Sequence, residues 1–393
     1  MDSDADLETL RRLQRFRKRS HLNPADNGRV SDLSQHVGDH GQEPAEYIAS
    51  LTALHDVVLI GEGMPTAQSG QFLVELVPVL AAAGVWNLGA EWLLQDDQDS
   101  LDEITTGRNF DEVRATELVL RWGMRYGIVP SSRVEVLRAA WATNRQRDHL
   151  APPFRILGLD YDLDYDNVTD RADLTEPEAW PHLRTRGPSA RFMAAVIDEQ
   201  LLKPRRRAVI SCSTGHAFTH HRRPYHANND RFDVEVVGDR VLGAGNHLFA
   251  QRADRVATVL LHQPLDGCPG VRPDHVYAAD GLVDMVFARH DGPKFPVGFD
   301  VGGSSFATLG TSCAHDDSPL GHLADGWIFL APLQQMRAPE QLSSQLEQFD
   351  LTQLRRRMLQ GSSRRPDNSV QDLRSAVDTT AAVIEMSLRA VGA

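Results

Sequence analysis

Cysteine and lysine are scarce in this chain of 393 residues, which has three cysteines and only three lysines among its 41 basic residues. The cysteines, Cys212, Cys268 and Cys313, form no C-x-x-C pair and no even set, which argues against a disulfide framework. Reduced thiols in a reducing compartment fit this usage. Long apolar runs are missing too, because no window reaches the roughly 18 apolar residues of a membrane span.

The first residues, MDSDADLETLRRLQRFRKRSHL, are too charged for a secretory signal peptide, which predicts a soluble cytoplasmic protein. The formal net charge of −13 argues against nucleic acid as the main partner, because phosphate binding needs a positive field. With 41% hydrophobic residues, the chain can bury a large core. We therefore expect a small-molecule substrate and no nucleic-acid or membrane partner, and a homodimer is left open.

The chain divides into three predicted parts. They are an N-terminal helix and polar linker at 1–45, an α/β body at 46–335, and a C-terminal helical segment at 336–393 that packs on the body. Residues 7–19 predict a short amphipathic helix, and the Asp-, Asn-, His- and Gly-rich residues 20–45 predict a connecting loop. The turn GSSRRPDN is predicted to split the C-terminal segment into two helices.

Within the body, short β-branched runs alternate with stretches of helical periodicity. The predicted strands are 56–62, 85–92, 154–161, 206–216, 255–264 and 326–332. The predicted helices are 67–83, 111–126, 132–147 and 189–202. Such alternation is typical of parallel β-α units whose strands are buried on both faces. The sequence therefore predicts an α/β fold with a mostly parallel β-sheet flanked by helices and with a helical C-terminal cap.

Acidic residues and a histidine end four consecutive strands of this predicted sheet. Glu62 ends the first strand, Glu91 the second and Asp160 the third, while the fourth runs through Ser213 to His216. Ligands bind beyond the carboxyl ends of parallel strands, and neighbouring carboxylates repel unless a cation or a shared proton relieves them. We therefore predict a catalytic site made of Glu62, Glu91, Asp160 and His216.

Several glycine-rich or aspartate-rich segments are candidates for binding or catalytic motifs. Gly61 and Gly63 flank the first glutamate and are predicted to let the backbone turn sharply. The segment GLDYDLDYDN (158–167) lacks the glycine of a calcium loop, and Arg171 takes the place of its last acidic ligand. The segment VGFDVGGSS (297–305) has no G-K-[ST] ending and predicts a turn. A G-x-S-x-G elbow is absent, which argues against a serine α/β-hydrolase.

The segment STGHAFTHHRRPYH (213–226) is rich in histidine. His216 and His220 have i, i+4 spacing, which places them on one face if a helix begins there, although the glutamate of H-E-x-x-H is missing. With Glu62 and Glu91 they form the predicted ligand set for a divalent iron, manganese, cobalt or zinc ion. The alternative is a polar loop whose histidines titrate in water.

Five motifs occur in a telling order: VVLIGEG, NLGAEWLLQDDQDSLDEITTG, WGMRYGIVPSSRVEVLRAAW, RILGLDYD and CSTGHAF. Their order and spacing resemble the superfamily of erythromycin esterases, ChaN-like haem-binding lipoproteins and Tiki proteases. The second motif is most similar to the ChaN-like branch. The resemblance covers about residues 50–220, with a weaker similarity to roughly residue 332, and it implies an α/β body with a shared pocket.

The resemblance also implies roles for particular residues. Glu62 and Glu91 would be the glutamate pair that faces the pocket, and His216 would be the histidine of the second motif, with a serine in the place of a glycine. The first motif departs from the family, because Met64 and Pro65 occupy the positions where a histidine is expected. His220 or His221 would then restore the lost imidazole from the other side of the pocket.

Hydrolysis of an ester, a lactone or an amide is the leading functional hypothesis. A metal ion would lower the pKa of its bound water, and a carboxylate would act as general base. In a metal-free version, one glutamate activates water while its neighbour stays protonated. The side chains predicted to form the substrate wall are Trp92, Arg121, Trp122 and Tyr161.

Two other functional classes are left open. A haem-binding or haem-transfer protein would take an axial ligand from the histidine-rich segment. The candidate haem ligands are His216, His220, His221, His226 and Tyr225. An enzyme of specialised metabolism would use the same pocket for dehydration, cyclisation or iron-dependent oxidative chemistry.

Overall fold

The computed structural model describes residues 24–167, 180–225, 234–266, 275–288, 292–310, 318–358 and 370–392. The predicted helix at 7–19 and the turn GSSRRPDN lie outside the described residues. A seven-stranded sheet forms the centre of the molecule, and six of its strands run parallel to one another. Helices cover both faces of this sheet. The predicted α/β fold with a mostly parallel sheet is confirmed.

The described strands are short. In chain order they are β1 (Val57–Glu62), β2 (Asn87–Leu94), β3 (Arg155–Asp160), β4 (Ala208–Ser213), β5 (Arg223–Pro224), β6 (Glu235–Val237), β7 (Arg240–Leu242), β8 (Val256–Leu261), β9 (Leu265–Asp266), β10 (His275–Val276), β11 (Val297–Asp300) and β12 (Gly326–Phe329). The central sheet has the order β11-β12-β8-β1-β4-β2-β3. Strands β1, β4 and β8 are buried almost throughout, as expected for parallel strands covered on both faces.

The described α-helices alternate with these strands. They are α1 (Pro24–His40), α2 (Pro44–Leu54), α3 (Ala67–Ala82), α4 (Gln98–Thr106), α5 (Glu112–Gly123), α6 (Ser132–Gln146), α7 (Trp180–Leu183), α8 (Ser189–Ile197), α9 (Thr214–Ala217), α10 (Ala244–Arg252), α11 (Leu282–Ala288), α12 (Leu320–Leu323), α13 (Leu351–Arg357) and α14 (Val370–Gly392). Helices α2, α3, α5 and α6 build one apolar core with the sheet, and α1, α8, α10 and α11 build another. Alternate residues of β1 point into the two cores, which accounts for its continuous apolar sequence.

Helix α1 occupies residues for which the sequence predicts a loop. Val30, Leu33 and Val37 are buried and pack in the same core as β1 and β4. Their spacing places them on one face of a helix. The loop prediction over residues 20–45 was wrong, because this apolar stripe stabilises a helix despite the polar residues between its members.

Strand β11 occupies the first part of the segment 297–305, for which the sequence predicts a turn. It pairs antiparallel with β12 at the edge of the sheet. Val297 and Phe299 are buried, and a Cβ at Gly298 would lie 2.6 Å from the Tyr47 ring. This glycine therefore allows close packing of α2 on the edge strand, and the turn begins only after Asp300.

The C-terminal residues form the predicted helical cap. On α14, Ile384 and Leu388 are buried in a cluster with Met64 and Leu333, and Glu385 accepts a hydrogen bond from a backbone N–H at 2.9 Å. These contacts hold the helix near the carboxyl end of β1. Within the described ranges, no helix has both the length and the apolar character needed to cross a membrane.

Candidate active site

Glu62 and Glu91 lie at the carboxyl edge of the sheet, on two strands that are separated by β4. Glu62 is the last residue of β1 and is in register with Ser213, the last residue of β4. The pairing of β2 with β4 stops at Ala90, and the register of β2 against β3 shifts after the same residue. This irregularity releases Glu91 from the ladder, and its side chain reaches over the end of β4.

Glu91 is held by two groups that follow β4. The backbone N–H of Ser213 donates a hydrogen bond to Glu91 Oε2 at 2.5 Å, and His216 Nδ1 lies 3.2 Å from Glu91 Oε1. Burial raises the pKa of Glu91, but the attraction of His216 and the hydrogen bonds outweigh it, so the pKa is lowered overall. Glu91 therefore favours its anionic form, and it fixes the orientation of the His216 imidazole.

Glu62 has a different environment beside the first turn of α3. Thr66 caps this helix, and its hydroxyl accepts a hydrogen bond from the Ser69 backbone N–H at 3.0 Å. Burial raises the pKa of Glu62, while a hydrogen bond from Ser69 and the charge of Arg133 lower it; the net pKa is above its ordinary value of 4.5. Glu62 therefore keeps its proton to a higher pH than Glu91 does.

Arg133, near the start of α6, completes the site. The residue is only 8% exposed, and its guanidinium carbon lies 5.4 Å from the centre of the Trp92 ring and 5.0 Å from that of Trp122. Both are cation–π distances. Burial lowers the pKa of Arg133 to about 10, although the charges of Glu62 and Glu91 raise it. The guanidinium is therefore a cation at neutral pH.

Arg133 is not among the predicted site residues, although the sequence carries a signal for it. The buried residues Val136, Leu137 and Ala140 follow it on α6 at helical spacing, and Arg133 itself is buried with them. The arginine thus occupies a position on the apolar face of an amphipathic helix. Because arginine is almost never fully buried without a partner, a charge at such a position indicates an ion pair or a binding site.

The structure brings two of the predicted wall residues, Trp92 and Trp122, to the site. Their rings contact the guanidinium of Arg133, and each indole N–H has an acceptor. Trp92 donates to Ser211 Oγ at 3.4 Å, and Trp122 donates to Asp160 Oδ2 at 2.9 Å. These contacts hold the two rings around the arginine. A direct contact of either ring with a substrate stays a prediction.

Asp160 ends β3 as predicted, but its carboxylate is fully occupied. Oδ2 accepts from Trp122 and, at 2.9 Å, from Arg125 Nη1. Oδ1 accepts from the Tyr161 backbone N–H at 2.9 Å and from the Ser189 hydroxyl at 3.2 Å. With the residue only 2% exposed, this arrangement supports a positioning role through Trp122 in place of the predicted catalytic role.

Arg121 and Tyr161, the other predicted wall residues, contact different parts of the molecule. Arg121 forms ion pairs with Asp97 and, at 2.7 Å, with Asp162. Tyr161 is fully buried, donates its hydroxyl hydrogen bond to the Gly187 carbonyl and packs edge-on against an aromatic ring of α8. Arg121 therefore belongs to a salt-bridge network and Tyr161 to a local aromatic core, and a contact of either with a substrate stays a prediction.

One of the four predicted metal ligands, His220, lies apart from the other three. Helix α9 ends at Ala217, so His216 and His220 do not share a helical face. His220 is exposed and packs against Phe249 with the two rings tilted and their centroids 4.2 Å apart. Among the described residues, no group of three or more His, Cys, Asp or Glu side chains could hold a metal ion. Arg133 instead supplies the positive charge beside the glutamates, so the donor set does not fit the predicted divalent ion.

The candidate haem ligands are spread over several environments. The imidazole of His216 faces Glu91, His221 is buried, and Tyr225 is 36% exposed. His226 lies outside the described residues. Haem binding therefore stays a prediction that these positions neither support nor exclude.

Met64 takes the first-motif position where the resembled family has a histidine. Its side chain is buried with Ile384 and Leu388 of the C-terminal helix. The backbone N–H groups of Gly63 and Met64 donate to Gln263 Oε1 at 2.7 and 3.2 Å. In this chain the first-motif position therefore anchors the C-terminal helix, and its side chain offers no group for proton transfer.

Gly61 is needed for close packing. A Cβ on this residue would lie 2.5 Å from Leu260 Cδ2 and 3.2 Å from the backbone of Thr214. The chain bends at Gly63 and Met64 as predicted, and neither Gly61 nor Gly63 has a positive φ angle. The missing side chain lets the start of α9, which carries His216, approach β1.

Cys212, in β4, lies close to both glutamates. Burial and the negative charges of Glu91 and Glu62 raise the pKa of its thiol well above the ordinary value. A nucleophilic cysteine needs a lowered pKa. The surroundings of Cys212 therefore favour a core residue and disfavour a thiolate nucleophile.

Comparison with known proteins finds similarity only among solved structures. No family profile and no curated protein matches the sequence. A mutant of the erythromycin esterase EreC is 10% identical and has a TM-score of 0.46, over 72% of this chain and 92% of EreC. ChaN of Campylobacter jejuni, described with cofacial haem, is 12% identical with a TM-score of 0.34, over 56% of this chain and 86% of ChaN.

A third similar structure is the C-terminal region of Pasteurella multocida toxin, described as having a thiol-protease-like catalytic triad. It is 12% identical and has a TM-score of 0.37, over 69% of this chain and 32% of the toxin chain. Erythromycin esterases and ChaN are members of the superfamily that the sequence resembles. At these identities and TM-scores the similarities assign no function, which is therefore argued from the site alone.

Proposed function

We propose that the protein is a hydrolase of a small-molecule ester, lactone or amide that uses no metal ion. The observation that carries the proposal is the 3.2 Å contact between His216 Nδ1 and Glu91 Oε1. A second glutamate, Glu62, lies at the same edge of the sheet, and its pKa is shifted in the opposite direction to that of Glu91. Two neighbouring carboxyls whose environments separate their pKa values are typical of an acid and base pair. The positive charge of Arg133 close to both glutamates supports the metal-free form.

In the proposed reaction, His216 is the general base. Its Nδ1 lies 3.2 Å from Glu91 Oε1, and the imidazole takes a proton from the attacking water. The anionic Glu91 stabilises the imidazolium that forms and keeps the ring in place. The pKa of Glu91 lies below its ordinary value, so the carboxylate stays ionised throughout this step.

Glu62 is the proposed general acid. Its raised pKa keeps the carboxyl protonated to higher pH, so it can donate a proton to the leaving oxygen or nitrogen. Arg133 provides positive charge beside the bound substrate. The products are a carboxylic acid and an alcohol or amine, and water supplies the atoms that are added.

A hydrolysis screen tests the proposal. Chelator-treated protein is incubated with a panel of aryl esters, lactones and amides, and turnover is compared with that of Glu62→Gln and His216→Ala. We expect turnover that survives the chelator and falls in both variants. Turnover that is equal in the variants, or that depends on an added divalent ion, would contradict the proposal, and a Soret band in the purified protein would favour haem binding.

A further inference from the structure

Arg133 differs from the other buried arginine near the site in having no carboxylate partner. Its Nη1 donates one hydrogen bond, to the Ile128 carbonyl at 3.2 Å. In the described part of the chain, no Asp or Glu oxygen forms an ion pair with it. Arg125, by contrast, is fully buried and pairs with Asp160 at 2.9 Å and Asp162 at 3.4 Å.

The two glutamates close to Arg133 do not replace such a partner. Glu91 is already bound by the Ser213 N–H and contacts His216. Glu62 lies beside Ser69, and among the described residues it forms no ion pair with Arg133. A buried charge is costly unless it is paired and hydrogen-bonded. Among the described residues, the Ile128 carbonyl is the one acceptor of the Arg133 guanidinium, so its other N–H groups can donate to a ligand.

The surroundings of Arg133 also fix its orientation. Trp92 and Trp122 lie within 5.4 Å of its guanidinium carbon, and Trp122 is itself tied to Asp160 by a hydrogen bond of 2.9 Å. A guanidinium held in this way presents a planar fork of donors, which matches the oxygens of a carboxylate or a phosphate. The formal net charge of the chain, −13, would repel anions elsewhere on the surface.

We propose that Arg133 binds an anionic oxygen group of the substrate, so that the substrate is an acidic small molecule bearing a carboxylate or phosphate. This inference rests on the proposed function for the identity of the site. The anion supplies the missing partner of the guanidinium, and it places the scissile bond next to Glu62 and His216. Arg133 is then the residue that selects the substrate class.

Direct binding tests the inference without turnover. Sodium benzoate and inorganic phosphate are titrated into the protein by calorimetry at neutral pH and constant ionic strength, with benzamide as the uncharged counterpart of benzoate. We expect saturable binding of at least one anion, no binding of benzamide, and a loss of affinity of about tenfold or more in Arg133→Gln. Binding of benzoate would indicate a substrate carboxylate, and binding of inorganic phosphate would indicate a substrate phosphate.

Arg138 on the same helix gives the matched control. It carries the same charge but is exposed and pairs with Glu112 and Glu135, so Arg138→Gln should bind the anion like the native protein. If Arg133→Gln does not fold, Arg133→Lys keeps the charge without the fork and should bind several-fold more weakly. The inference is overturned if neither anion binds, if benzamide binds as well as benzoate, or if a folded Arg133 variant keeps native affinity. A failure of the hydrolysis screen alone would leave this result unaffected.

Discussion

Two acidic clusters lie at the carboxyl edge of the sheet, and they differ in how their charges are balanced. The aspartate cluster, Asp160 and Asp162, follows β3 and is bound by arginines. Arg125 lies 2.9 Å from Asp160, and Arg357 donates to both oxygens of Asp162 at 2.6 and 2.8 Å. The glutamate cluster consists of Glu62 and Glu91. Within the described ranges, neither of these residues forms an ion pair with an arginine.

The pKa values reflect this difference. Burial raises the pKa of Asp162, but Arg357 and Arg121 outweigh it and hold the pKa far below its ordinary value. In the glutamate cluster the two pKa values move in opposite directions. Paired carboxylates of the first kind stabilise a fold, whereas carboxyls whose pKa values diverge in a cleft are typical of chemistry. We therefore propose a structural role for the aspartate cluster and a functional role for the glutamate cluster.

The largest expected effect is the loss of hydrolysis in His216→Ala. Removing a general base should lower kcat by on the order of 10²–10⁴-fold. His247→Ala is the control, because His247 also faces a glutamate, with Nε2 at 3.1 Å from Glu235 Oε2 and similar exposure. Steady-state kinetics should show native turnover in the control. Equal losses of turnover in His216→Ala and His247→Ala would show that the His216–Glu91 pair is no more functional than the His247–Glu235 pair.

Breaking the aspartate cluster should reduce stability strongly. Asp160→Ala leaves the fully buried Arg125 without its closest carboxylate, which should cost about 3–5 kcal/mol of unfolding free energy. Glu112→Ala removes an exposed partner of Arg138 and should cost about 0–1 kcal/mol. Denaturant unfolding measures both values. A small loss of unfolding free energy in Asp160→Ala would show that the packing of Trp122 does not depend on the ion pair between Asp160 and Arg125.

The smallest expected effect is a difference in how the stability of the Glu62 and Glu91 variants changes with pH. A raised folded pKa means that the stability of the native protein falls, relative to Glu62→Gln, as pH rises above about 4.5. A lowered folded pKa means that Glu91 contributes stability above about 4.5 that is lost as pH falls through its folded pKa. Melting temperatures of Glu62→Gln and Glu91→Gln across acidic to neutral pH should therefore diverge in opposite directions. Parallel curves would contradict the assignment.

Much of the fold could be predicted from the sequence because parallel strands have a strong local signal. The six predicted strands from β1 to β12 are all present, since each is a short apolar run between turn residues. Edge strand β11 was missed because glycine interrupts its apolar residues and two more glycines follow it closely. Helix α1 was missed because its polar residues mask a three-residue apolar stripe.

The site was harder to predict, because the position of a residue at a strand end does not reveal its partners. Glu62, Glu91 and His216 were placed at one edge correctly, since sheet geometry alone determines this. Asp160 has the same sequence signature, yet Arg125, distant in sequence, occupies its carboxylate. Arg133 was missed for the same reason: its role depends on the two tryptophans that surround it in the folded chain.

The titration of the two site glutamates is the most direct test of this account. Carboxyl-carbon NMR of protein labelled at glutamate, assigned with Glu62→Gln and Glu91→Gln, follows each group through acidic pH. We predict that the Glu62 carboxyl titrates above 4.5 and the Glu91 carboxyl below it. Both carboxyls titrating together near that value, or in the reverse order, would contradict the division of the site into an acid and an anion.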